Sequence, residues 1–104
     1  MNIGYAIEKF HEAIDVLVTG RWPIHERVRP ACHAIHAIRP ADLPPELRPD
    51  HEWILSQLTS VSPQVTGEDT LQASLRNMDE HTAVAVAQRI LRIYDGLVKP
   101  FERG

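Results

Sequence analysis

Ile3, Ile7, Phe10, Ile14 and Leu17 follow one another at steps of four, three, four and three residues. At about 100° per residue this spacing gathers the five side chains along one flank of a helix, whereas a strand would scatter them over both faces. The same stepping returns in Ile24, Val28, Ala31, Ile35 and Ile38, and again in Ala83, Ala87, Ile90, Tyr94 and Leu97. Three segments with one period and one apolar stripe each leave little room for a sheet. They predict an all-α fold, a compact antiparallel bundle of four to five helices in one domain over residues 1–104. Stepping of this kind suits helices packed at about 20°.

The punctuation between the stripes supplies the boundaries. The first helix is predicted from about Asn2 to Thr19, with Gly20 placed for a left-handed C-terminal cap. Pro23 suits the first position of the second helix, because its missing N–H has no partner there in any case. Pro30 falls inside that helix and removes one backbone donor, so a kink is expected at that point, before the helix stops ahead of Pro40. Residues 39–49 hold four prolines and read as a connector, with one turn of helix at Pro44–Leu47. A third helix is expected from about Asp50 to Thr59, then a loop over residues 60–66. Thr66-Gly67-Glu68-Asp69 resembles a cap for a short fourth helix through Leu71 and Leu75, with a short strand at Thr70–Ser74 as the alternative. In the last helix Val84, Leu91 and Val98 widen the seam on one side, Val86 and Ile93 on the other. Pro100 is expected to stop it.

Composition excludes several functional classes. A formal net charge of −3 provides no overall field for nucleic acid or an anionic membrane. Between Arg21 and Arg48, five arginines face three acids, a mildly positive segment that also holds His25, His33 and His36. The single cysteine, Cys32, has no internal disulfide partner, which suits a reducing compartment. Glu8, Lys9, Glu12 and Asp15 interrupt the first helix with charge, so it reads as neither signal peptide nor membrane span. A cytoplasmic location is the expectation. There is no GxSxG and no glycine-rich phosphate loop.

The segment Arg76-Asn77-Met78-Asp79-Glu80-His81 bears most directly on chemistry. Arg76, Asn77 and His81 resemble the signature of the HEPN superfamily of small helical nucleases and nucleotide-binding domains. That resemblance implies metal-independent RNA cleavage in a dimer, with His81 as the proton-transfer group and Arg76 stabilising the phosphate. Histidine titrates near neutral pH, and arginine presents a fork of donors to phosphate oxygens. The same residues also make an ordinary helix start. Asn77 is a favoured N-cap, Glu80 three residues on can complete a capping box, and the acids suit the positive end of the helix dipole. Two carboxylates beside a phosphate site would also repel RNA.

Other constellations point to contact rather than catalysis. Cys32 and His36, one helical turn apart, are a weak alternative pair of metal ligands, with Arg29 setting a positive charge nearby. Trp22 and Trp53 either plug the ends of the core or centre an interface. Tyr5, lying off the first stripe, and the flank of His25, Arg29 and His36 are further interface candidates. The leading expectation is therefore a protein-interaction or self-assembly module, a homodimer without catalysis or cofactor and without a membrane or nucleic-acid partner. The alternative is a HEPN-like ribonuclease, or an inactive relative, using Arg76 and His81.

Overall fold

The computed structural model describes residues 2–64 and 66–102, with side chains through residue 99. Val65, which falls in the predicted loop, lies outside the described residues, as do Met1 and residues 103–104. Five α-helices make the fold: α1 (Ile3–Thr19), α2 (Ile24–Ile35), α3 (Arg48–Leu58), α4 (Thr70–Arg76) and α5 (Glu80–Glu102). Two single turns of 3-10 helix, Pro40–Asp42 and Pro45–Leu47, carry the proline-rich connector. Among the described residues there is no strand, so the segment from Thr70 is helix. The Cα radius of gyration, 13.7 Å, is close to the roughly 13 Å of a compact chain of about a hundred residues.

The core lies where α1, α2 and α5 meet. Ala6, Phe10, Ala13 and Leu17 are buried on α1, and Val28, Ala31, Cys32 and Ile35 on α2. Ala83, Val86, Ile90, Ile93 and Leu97 complete it from α5. The α1 stripe is thus rotated from its predicted line: Ile3, Ile7 and Ile14 are half-buried flanks, while Ala6 and Ala13 sit at the centre. Small residues at those positions let α1 approach two neighbours at once. Ile54 and Leu58 join α3 to the core, and Leu75 joins α4.

Pro30 stands inside α2 with helix on both sides, so the proline does not break the helix. The helix ends at Ile35, earlier than its apolar stepping predicts, and Ile38 is nevertheless buried from the connector. The connector is held by Arg48, whose Nε donates to the carbonyls of Pro40 and Leu43 at 2.9 and 3.1 Å. Asp42 is nearly buried and accepts from the Arg39 N–H at 3.0 Å. α5 does not stop at Pro100; its helical backbone runs to Glu102. Gly96 lies within it, and a Cβ there would come 2.6 Å from Leu47 Cδ2.

Two helix ends are built differently from the sequence expectation. Asn77 caps the C-terminus of α4, its Nδ2 donating to the Ala73 carbonyl at 2.8 Å. Asp79 serves the start of α5, its Oδ1 accepting from the Thr82 N–H at 2.7 Å. These Thr82 contacts hold the Asp79 carboxyl below the usual carboxylate range. At α4, Asp69 and Gln72 form a reciprocal capping box with bonds of 2.7 and 3.0 Å.

Candidate interaction surface

The corner between α1 and α2 is set by Arg27. Its Nε donates to the Trp22 carbonyl at 2.7 Å, and its Nη1 donates to the Leu17 carbonyl. Gly20 is extended, with φ −65° and ψ 141°, rather than left-handed. Glycine is needed there for room: a Cβ would lie 2.7 Å from Arg27 Cγ and Cδ and 2.8 Å from the Val16 carbonyl oxygen. One side chain therefore closes the last turn of α1 and fixes the path of the chain into α2.

Beside this corner the fold leaves an apolar groove of about 280 Å³. Ile14, Leu17 and Val18 of α1, Ile24 of α2, and Val84, Ala87, Gln88 and Leu91 of α5 line it. Gln88 is the one polar side chain in that set. Val18 is 75% exposed, Leu91 56% and Val84 39%. The side of α5 bordering the groove carries an unburied row, His81, Val84, Gln88, Leu91 and Asp95, spaced by three, four, three and four residues. Within this row Asp95 pairs with Lys99 at 3.2 Å, both side chains being more than half exposed.

The interface candidates from the sequence take several environments. Trp22 is 63% exposed and borders a depression shared with Glu26, Arg29 and Pro30 on α2, so the structure brings Trp22 and Arg29 together. Trp53 is half-buried, with the Arg89 guanidinium 3.8 Å from its ring centroid. Tyr5 is half-buried against the core, with Lys9 Nζ 5.9 Å from its ring centre. His25 is exposed, 3.6 Å from Glu26. His36 is exposed, its Nδ1 2.7 Å from the His33 carbonyl oxygen. Cys32 is fully buried, and burial pushes its thiol up to about 12. Cys32 and His36 therefore lie in opposite surroundings, core and solvent. Among the described residues no three His, Cys, Asp or Glu side chains gather as a metal-ligating group.

Arg76 and His81 belong to different elements. Arg76 ends α4, and its guanidinium is engaged by Glu68: Nε donates to Oε1 at 2.7 Å and Nη2 to Oε2 at 3.1 Å. It borders a depression with Arg29, Thr66, Gly67, Glu68 and Gln72, and His81 is not among those lining residues. His81 is exposed in the first turn of α5.

The row on α5 is the feature the apolar pattern half revealed. Val84 and Leu91 read from the sequence as one margin of a broad buried arc. The structure buries the opposite margin, Val86 and Ile93, completely and leaves Val84 and Leu91 outside. Arg27 carried no signal beyond its charge.

Compared with protein-family models, with curated proteins and with solved structures, the chain matches none. No helix among the described residues is long and apolar enough to cross a membrane.

Proposed function

We propose that the protein is a small self-assembly module of the cytoplasm that works by covering its apolar groove with a second copy of itself, without catalysis. The observation carrying this reading is the groove, where Val18, Val84 and Leu91 stand exposed around a lining with one polar side chain. Contiguous exposed apolar surface marks interaction sites, whereas isolated exposed apolar residues are ordinary. The lone, buried Cys32 suits a reducing compartment.

Magnitudes set the strength of such an association. Burying a large apolar side chain from full exposure stabilises by about 1.5–3 kcal/mol. Three side chains on each of two copies therefore set a ceiling of roughly 9–18 kcal/mol, reduced because all three are already partly covered. Association costs about 4–15 kcal/mol in lost freedom. The two ranges overlap, so the affinity is what the solution measurement has to read.

Sedimentation equilibrium over a wide concentration range tests this. Dimerisation by the wild type, abolished in Leu91→Glu with unchanged circular dichroism, is the expected result. Leu91 is exposed enough that the substitution should alter stability by no more than about 0.5 kcal/mol. A monomer at every accessible concentration would overturn the reading.

A further inference from the structure

The row His81, Val84, Gln88, Leu91 and Asp95 has an order that suits one particular occupant. His81 lies seven residues before Gln88 and Asp95 seven residues after it, while Val84 and Leu91 stand four before and three after. Turning a second α5 end for end about Gln88 sets His81 level with Asp95 and brings Val84 within one residue's rise, about 1.5 Å, of Leu91. The cationic or hydrogen-bond-donating end meets the anionic end, and the apolar positions meet each other. A parallel pairing would instead set Asp95 against Asp95.

Resting on the self-association reading above, we propose that two copies pack α5 against α5 antiparallel, with a twofold axis at Gln88 and a His81–Asp95 pair at each end. In this arrangement Leu91 of each copy lies opposite Val84 of the other, beside the groove that Val18 borders. A twofold contact is self-complementary by construction, so each of these pairings occurs twice. The Gln88 amides meet at the axis, where each has a donor and an acceptor for the other. As the one polar side chain lining the groove, Gln88 is then the register-setting residue, because a slip of one helical turn leaves its amide against Val84 or Leu91. His81 donates a ring N–H to the Asp95 carboxylate in either protonation state. The present partner of Asp95, Lys99, is an exposed pair one turn along the same helix, an interaction readily shared. Glu80 points about 100° around the helix from His81, off the line of contact.

Cross-linking reads the geometry directly. Cys32 is fully buried, so an introduced cysteine is the accessible thiol. Under mild oxidation Gln88→Cys should yield a disulfide-linked dimer. His81→Cys and Asp95→Cys should each cross-link poorly alone, since like positions lie about 21 Å apart along the helices. Mixed together, they should form the heterodisulfide. In sedimentation, His81→Asp sets like charges at both ends and should weaken dimerisation at least about tenfold. The double exchange His81→Asp with Asp95→His should restore it, a recovery that simple damage to the fold would not produce. A wild-type dimer whose Gln88→Cys variant does not cross-link, or whose charge exchange does not recover, overturns the antiparallel geometry while leaving self-association standing. A wild type that stays monomeric overturns both.

Discussion

Arg27 covers Gly20 so closely that its Cγ and Cδ occupy ground 2.7 Å from where any Cβ at position 20 would stand. The backbone of Gly20 is one that alanine adopts freely, so Gly20→Ala would ordinarily gain about 0.4–1 kcal/mol by stiffening the unfolded chain. Crowding against Arg27 and the Val16 carbonyl costs more, about 1–3 kcal/mol for overpacking. Urea denaturation should therefore show Gly20→Ala destabilised. In an Arg27→Ala background the added cost should shrink, leaving the part due to Val16.

His51 is almost fully buried, and neither ring nitrogen makes a hydrogen bond of good geometry. Burial lowers its pKa below the ordinary histidine value, against the opposing pull of the Ile38 backbone, Glu52 and Asp42. The folded chain then binds fewer protons at this site than the unfolded chain. Its contribution to stability is complete above about pH 6.5 and declines as pH falls toward the lowered folded value, levelling off beneath it. The slope from one such proton is at most about 1.4 kcal/mol per pH unit. Denaturation midpoints between neutral and mildly acidic pH should fall less steeply for His51→Leu than for wild type. Identical slopes would place the acid sensitivity elsewhere.

The Cys32 thiol, held up to about 12 in the core, should be inert in the native protein. A thiol-reactive chromophore at pH 8 should report almost no reaction until denaturant is added, then one equivalent per chain. Rapid labelling of the folded protein would show that α2 opens readily around this residue.

Glu68 occupies the Arg76 guanidinium through two hydrogen bonds, so phosphate would have to displace a carboxylate already in place. Without added metal, wild type, Arg76→Ala and His81→Ala should all leave RNA intact at the rate of buffer alone. Cleavage by wild type that disappears in His81→Ala would favour the ribonuclease reading over self-assembly.

The helical architecture was legible because burial has a period. Phe10, Val28, Ala31, Ile35, Ile90 and Leu97 fall inside as their spacing predicts. Rotation about each helix axis was less legible. Ile3, Ile7 and Ile14 are larger apolar residues than Ala6 and Ala13, yet close packing of α1 on two neighbours gives the alanines the centre. The same ambiguity hid the row on α5, since a broad apolar arc does not say which margin its neighbours cover. Local caps failed where two sound choices stood side by side: Asn77 and Asp79 both suit a helix end, and the tight turn after α4 assigns one to each helix. The crowding at Gly20 and Gly96 depends on side chains from other parts of the chain, Arg27 and Leu47, which no local pattern discloses.

The contrast between the two indoles has a practical consequence. Trp53 is shielded beneath a guanidinium, while Trp22 stands in water on a corner anchored by Arg27. Their fluorescence should divide into a quencher-resistant, bluer component and a quencher-sensitive, redder one. The molecule thus carries its own optical gauge, able to report without any attached label when the surface around that corner is covered.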